Sequence, residues 1–273
     1  MMNRLVVEDT AAHVRRLTLN RPERMNAFDG ETLAAFNEAI RDCAAPERDI
    51  RVIVIRGTGR AFCAGNDLKW LAEGVLADVA AHQRHQDLMQ STYELLESAR
   101  QVVIASVNGF ALAGGFELAL ACDIVVADEA AELGDEHLRR DLLPSGGSSQ
   151  RLPRLLGLPR ALYYLLTARR MTGRDAERIG LAALAVPSAE LEAATLRLAE
   201  DIARTDPHAL AAMKSMARRA LELPLKDGLW LERWTQFRYR SESGSLAAGV
   251  QAFGAREKSA GETLRPEGPS AAP

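Results

Sequence analysis

The sequence predicts an α/β fold, and two observations lead to that prediction. In the first half of the chain, short apolar runs alternate with helix-compatible segments, a pattern typical of an α/β core. After about residue 147 the pattern becomes mostly helical. With 273 residues, 47% of them hydrophobic and 26% charged, the chain has the size and composition of one large globular domain, or of one domain with a helical appendage.

Residue patterns locate the elements of this predicted fold. Apolar, β-branched runs predict strands, whereas apolar residues three or four positions apart predict helices. Leu33, Phe36 and Ile40 follow the helical spacing after a start at Asp29 or Gly30. In chain order, the predicted strands cover 5–7, 14–19, 52–55, 102–107 and 124–126, and the predicted helices cover 30–40, 75–99, 114–122, 150–155, 160–166, 173–179, 191–203, 209–223 and 229–239.

Two of the predicted strands lead into loops that can bind a ligand through backbone N–H groups. The strand at 52–55 is followed, after a polar loop, by the small residues at 64–66. The strand at 102–107 is followed by Gly114 and Gly115, which open a helix. Small residues let the backbone approach a ligand closely, and the free N–H groups of a helix start point towards it.

A carboxylate, Glu117, lies on the first turn of the helix that Gly114 opens. Backbone donors and a potential base within a few residues of each other suit a site that stabilises an oxyanion and transfers a proton. Two alternatives stay open from the residues alone. The glycines form tight turns and nothing more, or Glu117 is a carboxylate that the helix macrodipole favours.

Four segments of the chain closely resemble signatures of the enoyl-CoA hydratase/isomerase (crotonase) superfamily. These segments are 19–27, 62–68, 108–118 and 144–152, and the resemblance extends over roughly residues 3–258. It implies a crotonase-like spiral of ββα units in residues 1–200 and a C-terminal helical trimerisation region in residues 201–258. The tail at 259–273 is rich in Gly, Pro, Ser and Ala, and its composition predicts disorder.

The resemblance also implies the substrate and the residues that bind it. The substrate is an acyl-CoA thioester, no metal or other cofactor takes part, and the protein is a homotrimer or hexamer. The N–H groups of Asn66 and Gly114 hold the thioester oxygen, and Glu117 matches the first catalytic glutamate of the hydratases. The contacts to CoA fall to Arg24, Met25, Ala64, Asp67, Leu68, Phe253 and Lys258. A simple surface role for Arg24 and Lys258 stays open.

The chain departs from the hydratase pattern at the second catalytic glutamate. Counting 20 residues forward from Glu117, or seven back from Pro144, leads to His137. Imidazole transfers protons near neutral pH, and a His/Glu pair holds the acid and the base that hydration requires. Alternatively, His137 is a packing residue and Glu117 acts alone. Glu136 is a weaker candidate, because in an extended segment it points to the opposite face.

The cysteines and the remaining histidines give only weak evidence for a functional site. Cys43, Cys63 and Cys122 are isolated and lack metal-ligand spacing, and Cys43 and Cys122 are most simply packing residues. Cys63 lies beside the predicted site, but no histidine is near it in the sequence, which argues against a nucleophile. His82 and His85 are three apart on a predicted helix, and two histidines alone are weak evidence for a metal. We expect them on a solvated helix face.

Charge and hydropathy argue against two classes of partner. The net charge of −3 gives no electrostatic basis for binding nucleic acid or an anionic membrane. The most apolar long stretch, 110–127, contains two acidic residues and therefore indicates a buried helix and strand instead of a membrane span. The N-terminus has no signal-peptide pattern, and together with the isolated cysteines this predicts a cytoplasmic protein.

The favoured function is reversible hydration of a 2-enoyl-CoA. Rival reactions on the same fold are double-bond isomerisation, which needs one proton shuttle, acyl-CoA decarboxylation and thioester hydrolysis. A rival of another class is a non-catalytic acyl-CoA-binding subunit, for which the missing second glutamate is the support. The resemblance places the acyl pocket in the variable stretch 70–93 and the C-terminal helices.

Overall fold

Three consecutive strand pairs give the protein its architecture. The computed structural model describes residues 3–242 and 250–251, and it divides into two units between Ser215 and Met216. The strands of the described residues are β1 (Leu5–Ala11), β2 (Val14–Leu19), β3 (Val52–Gly57), β4 (Ala61–Cys63), β5 (Val102–Val107), β6 (Phe110–Leu112), β7 (Ile124–Asp128), β8 (Glu132–Gly134), β9 (Met171–Thr172) and β10 (Leu184–Val186).

Helices connect and follow these strands. The α-helices of the described residues are α1 (Gly30–Ala44), α2 (Leu68–Ala72), α3 (Val79–Ser98), α4 (Gly114–Ala121), α5 (Ser148–Leu156), α6 (Leu158–Thr167), α7 (Gly173–Arg178), α8 (Leu191–Ala203), α9 (Pro207–Arg219) and α10 (Leu225–Glu242). The end of α9 and the whole of α10 belong to the second unit. None of the described helices combines the length and apolar character that a bilayer span requires.

The strands form two sheets, and three consecutive strand pairs cross from the larger sheet to the smaller. The larger sheet has the order β1-β2-β3-β5-β7-β10, with only β1 and β2 antiparallel, and the smaller has the order β4-β6-β8-β9. Each of the pairs β3/β4, β5/β6 and β7/β8 contributes its first strand to the larger sheet and its second to the smaller. This repetition is a spiral of ββα units followed by helices, so the predicted α/β fold is confirmed.

The apolar run at the start of β3 is continuous because both faces of the larger sheet are covered. Ile53 and Ile55 pack in the core between the sheets, whereas Val52 and Val54 pack in a second cluster that includes Leu191 of α8. A parallel strand buried on both faces shows a continuous apolar run instead of alternation. The same explanation applies to β5, which is buried along its whole length.

The predicted elements differ from the observed ones mainly at short segments. Strands β4, β6, β8, β9 and β10 have two or three residues each and were not predicted, because such lengths are too short for a periodic pattern. The helix predicted at 75–99 begins only at Val79. Gly74 lies at φ +136°, a 3₁₀ turn follows at Val75–Ala77, and the Asp78 side chain caps α3 by accepting from the Ala81 N–H at 3.0 Å.

Candidate active site

Two loops carry the predicted oxyanion donors, and they pack backbone against backbone. Gly65 adopts φ +86°, and a Cβ added to it would lie 2.6 Å from the Gly114 nitrogen. The Asn66 nitrogen lies 3.6 Å from the position of a Cβ on Gly114. Within the described residues, neither the Asn66 nor the Gly114 amide donates a hydrogen bond. The structure therefore brings together two free N–H groups from segments 48 residues apart in the chain, an arrangement suited to an oxyanion.

The junction between β6 and α4 has an unusual backbone. Ala113 adopts φ 50° and ψ −121°, which L-residues with a Cβ rarely do, and its N–H donates to the Gly134 carbonyl at 3.0 Å. This conformation turns the chain sharply, so that α4 begins at Gly114 directly beside Gly65. Residues held in such sparsely populated regions often mark functional sites, because the surrounding structure must stabilise them.

Helix α3 contacts both of these loops. The His85 Nε2 lies 2.8 Å from the Asn66 Oδ1, and the Tyr93 hydroxyl donates to the Gly114 carbonyl at 2.7 Å. His85 is buried and lies against the Trp70 ring at a centroid distance of 4.8 Å. Burial and the neighbouring His82 lower the pKa of His85. The prediction of a solvated helix face was therefore wrong for His85, because its ring is a buried partner of Asn66.

Glu117 lies on the first turn of α4 and is fully buried. Its Oε1 accepts from the Ser148 backbone N–H at 3.0 Å, whereas its Oε2 has no hydrogen-bond partner among the described residues. Burial raises the pKa of Glu117, although the Ser148 hydrogen bond and the charge of His137 partly oppose the shift. This carboxyl is therefore closer to proton exchange at neutral pH than an exposed glutamate.

Gly146 lets the mid-chain loop approach this carboxyl closely. A Cβ on Gly146 would lie 2.6 Å from the Glu117 Oε2 and 2.8 Å from the Tyr93 ring. No real side chain fits at those distances without displacing one of the two groups. The glycine in the motif at 144–152 is thus explained by the space that Glu117 occupies.

His137 is the first residue of a 3₁₀ helix, His137–Arg140, and its side chain is mostly buried. Its Nδ1 lies 3.0 Å from the Asp135 Oδ2, at an angle outside ideal hydrogen-bond geometry. Burial lowers the pKa of His137, but the contact with Asp135 and the charges of Asp135 and Glu117 outweigh burial, so that the pKa is raised. The imidazole is thus stabilised in its protonated form.

Glu136 points its carboxylate at two arginines. Its Oε1 lies 2.6 Å from the Arg170 Nε and 3.2 Å from the Arg139 Nε. The segment is not extended as predicted, because Glu136 itself adopts the left-handed conformation at φ 53° and the 3₁₀ helix follows at once. With its charge neutralised by two cations, Glu136 is less suited to act as a base than Glu117.

A cavity of about 590 Å³ joins most of the predicted site residues. Of those residues, the ones that line it are Arg24, Met25, Ala64, Asn66, Asp67, Leu68, Gly114 and His137. Glu117 is not among the lining residues and lies next to Gly146. Phe253 and Lys258 lie outside the described residues.

The cavity has both apolar and cationic walls. Leu71, Leu76 and Leu112 supply apolar surface. Further cationic side chains come from Arg60, Lys69, Arg140 and Arg170. Such a cavity suits a ligand that combines an acyl chain with several phosphates.

Asp67 has a structural task in addition to lining the cavity. Its carboxylate accepts from the Lys69 and Trp70 N–H groups at 3.2 and 3.3 Å and so caps α2. The same group lies 3.0 Å from the Arg21 guanidinium, which also lies 3.0 Å from Asp29, the cap of α1. The side chain of Asp67 thus holds the loop before α2 in place, and the residues around Asp67 shape the cavity.

Sequence reasoning missed three residues of this site. Tyr93, Asp135 and Ser148 are all buried and contact Gly114, His137 and Glu117, respectively. A signal was present for Asp135, since an acidic residue two positions before a candidate histidine is a natural partner for it. Tyr93 and Ser148 lie 21 and 31 residues from their partners and gave no local signal.

Fold and site together define a class of enzyme, in which a ββα spiral positions paired backbone amides beside a buried carboxylate. The comparisons agree with that class. The family model for enoyl-CoA hydratase/isomerase matches residues 9–261, and the chain belongs to this family.

Known proteins of the family are similar over nearly the whole chain. A 2,3-dehydroadipyl-CoA hydratase of Escherichia coli is 37% identical over 237 residues, which are 87% of this chain and 90% of that protein. A probable enoyl-CoA hydratase of Rhizobium meliloti is 35% identical over 259 residues, or 93% and 96% of the two chains. The crystal structure of enoyl-CoA hydratase from Bacillus anthracis superposes with a TM-score of 0.88 at 32% identity, covering 93% of this chain and 97% of that one.

Proposed function

We propose that this protein catalyses the reversible addition of water to a 2-enoyl-CoA. The observation that carries the proposal is that a buried carboxyl and an imidazole stabilised in its charged form accompany the paired amides: Glu117 lies on the first turn of the helix that Gly114 opens, and His137 lines the same cavity as Asn66 and Gly114. Hydration needs a base for water and an acid for the α-carbon. It also needs donors for the thioester oxygen while negative charge develops there.

Hydration moves one proton from water to a base and another from an acid to the α-carbon. The Glu117 carboxylate removes a proton from water as the water oxygen bonds to the β-carbon and the carbon–carbon double bond opens. The electron pair moves towards the thioester oxygen, which accepts from the Asn66 and Gly114 N–H groups. Protonated His137 then donates its proton to the α-carbon. Transfer of a proton from Glu117 to His137 restores the starting state.

CoA binding rests on the cations of the cavity. Arg24 and Lys69 line the cavity and would meet the phosphates, and Met25, Ala64 and Leu68, which line it too, would supply small or apolar surface for the adenine. The reaction changes no overall oxidation state and is complete with acid, base and oxyanion donors. We therefore propose acyl-CoA as the substrate and no metal or redox cofactor.

Incubation with crotonyl-CoA tests the proposal directly. We expect the ultraviolet absorbance of the conjugated enoyl thioester to fall and mass spectrometry to show a product heavier by one water. A panel of acyl-CoA thioesters of different length and polarity then identifies the preferred acyl group. Binding of these thioesters without any turnover would contradict the proposal and favour a non-catalytic subunit.

Double-bond isomerisation is the second candidate. It is favoured by the Oε2 of Glu117, which has no hydrogen-bond partner in the described part of the chain, because one buried carboxyl is enough to move a proton between two carbons. Incubation with a 3-enoyl-CoA separates the two reactions. An isomerase generates the conjugated chromophore with no change of mass, whereas a hydratase acting alone leaves this substrate unchanged.

We further expect a cytoplasmic homo-oligomer, a trimer or a dimer of trimers. Closed symmetric assemblies are the common outcome for soluble enzymes, and the helical C-terminal third motivates this expectation. Light scattering at micromolar concentration checks it. A mass near 29.7 kDa, that of one chain, would contradict it.

A further inference from the structure

The carboxylate of Asp135 is committed to His137 and Ser148. Asp135 follows β8 directly and is 2% exposed. Its Oδ1 accepts from the His137 backbone N–H at 3.3 Å, and its Oδ2 contacts the His137 Nδ1 at 3.0 Å. The same Oδ2 accepts from the Ser148 hydroxyl. Both oxygens thus hold the residue that replaces the second hydratase glutamate.

No lysine or arginine of the described residues is paired with Asp135. The neighbouring Glu136 has two arginine partners, Arg170 and Arg139, but they do not extend to Asp135. A buried carboxylate is costly unless it is hydrogen-bonded and paired with a cation. The imidazole of His137 is the cation available to it, so the charge of each group stabilises the charge of the other.

We propose that Asp135 is a positioning residue that orients the His137 ring through Nδ1 and leaves Nε2 to exchange protons in the cavity. The role of Nε2 in proton exchange rests on the proposed function. A ring held at Nδ1 by a buried acid keeps its proton there in the neutral form, and the opposite nitrogen then serves as the acid or base. His137 lines the cavity, and with Nδ1 turned to Asp135 we infer that Nε2 is the nitrogen available to a substrate.

Ser148 connects this dyad to Glu117. Its backbone N–H donates to the Glu117 Oε1 at 3.0 Å, while its hydroxyl donates to Asp135. One residue at the start of α5 therefore contacts both acids and fixes the position of the two proton-transfer groups relative to each other. The contacts therefore run continuously from Glu117 to His137, which a role for His137 in packing alone does not explain.

The pKa shifts agree with the geometry. Burial raises the pKa of Asp135, but the contacts with His137 and Ser148 outweigh burial and lower it, whereas the pKa of His137 is raised. The charged groups that act on the imidazole are Asp135, from the loop after β8, and Glu117, from α4. Loss of the Asp135 charge should therefore lower the pKa of His137.

The experiment is an NMR titration of protein labelled with ¹⁵N-histidine, combined with the pH profile of crotonyl-CoA hydration. The signals of His137 among the five histidines are assigned by their loss in His137→Ala. In the wild-type protein we expect neutral His137 to carry its proton on Nδ1. In Asp135→Asn we expect the titration of His137 and the high-pH limb of kcat to move together to lower pH, with KM within about twofold.

Asp141→Asn is the matched control. It removes the same charge four residues from His137, but Asp141 is exposed and does not act on the imidazole. It should leave both titrations at the wild-type position. Circular dichroism of the variants reports whether each is folded, and the wild-type tautomer decides the question even where Asp135→Asn fails to fold.

Two results would overturn the inference. One is a wild-type His137 whose neutral form carries its proton on Nε2, and the other is a folded Asp135→Asn protein in which the titration of His137 is unchanged. Either leaves the proposed function intact where His137→Ala is inactive. A wild-type protein that hydrates no enoyl-CoA would instead overturn the proposed function, and the NMR titration would still decide whether Asp135 controls His137.

Discussion

The two halves of the candidate site consist of different chemical groups, backbone amides in one and charged side chains in the other. The oxyanion half consists of backbone amides at Asn66 and Gly114, held by neutral hydrogen bonds from His85 and Tyr93 of α3. The proton-transfer half consists of buried charged side chains that hold one another. The first half depends on the path of the chain, whereas the second depends on the balance of charges in a site of low dielectric constant.

This difference predicts how each half responds to change. Backbone donors do not titrate and the pKa of the buried His85 is lowered, so under the proposed function we expect the pH dependence of turnover near and above neutral pH to come from Glu117 and His137. Steric changes should damage the oxyanion half and leave the pH profile in place. Charge changes should alter the profile and leave the oxyanion donors in place.

The largest expected effect is that of Glu117→Gln. The variant keeps the shape of the side chain but removes its basicity, so kcat should fall by about 10²–10⁴-fold. Affinity for CoA thioesters, measured by calorimetry, should stay within about threefold because the amides and the cations of the cavity are unchanged. Wild-type turnover in this variant would remove Glu117 from the mechanism.

His137→Ala should reduce kcat by about 10²-fold and also change the pH profile. The acid must be protonated to donate, and its pKa is raised, so wild-type activity should decline only as the pH rises above the ordinary titration range of imidazole. In the variant this decline should disappear.

His137→Glu tests the same position in the other direction, because it recreates the glutamate pair of the hydratases. Combined with Asp135→Asn, which removes the buried carboxylate that would otherwise face the new one, it should retain crotonyl-CoA hydration. An unchanged rate and profile in His137→Ala would make His137 structural. Glu117 would then act as a single base, and the isomerase alternative would gain support.

Gly65→Ala probes the oxyanion half by steric means. The added methyl group would meet the Gly114 nitrogen at 2.6 Å and should displace one donor, lowering kcat by about tenfold to a hundredfold. Gly180→Ala is a matched control, since Gly180 has a similar φ of +83° but no atom within 4 Å of the added carbon. An equal loss in both variants would indicate backbone strain and not a blocked donor.

The smallest expected effect is that of Tyr93→Phe. It removes the hydrogen bond to the Gly114 carbonyl but keeps the ring, and a neutral hydrogen bond contributes about 1 kcal/mol. We expect kcat to fall by about fivefold, KM to change little and the pH profile to keep its shape. A shifted profile would show that the two halves are not electrically independent.

The sequence predicts the oxyanion half better than the proton-transfer half. Small residues after buried strands are a local signal, and they located Gly65 and Gly114 as well as the strands that precede them. The path of the segment at 135–140 was not predictable, because the left-handed Glu136 is stabilised by Arg170, 34 residues away. Partners such as Ser148 and Tyr93 were missed for the same reason, since their contacts exist only once the spiral has formed.

Helix α3 also carries a consequence for how this enzyme can be changed. It contacts both loops through His85 and Tyr93, while His82 and Gln86, which lie beside His85 on the helix, line the cavity. We expect substitutions that widen the pocket at those two positions to disturb the helix and, through its hydrogen bonds, the loops. Under the proposed function we expect substrate range and turnover to be coupled, and selection for a bulkier acyl group should bring compensating changes along α3.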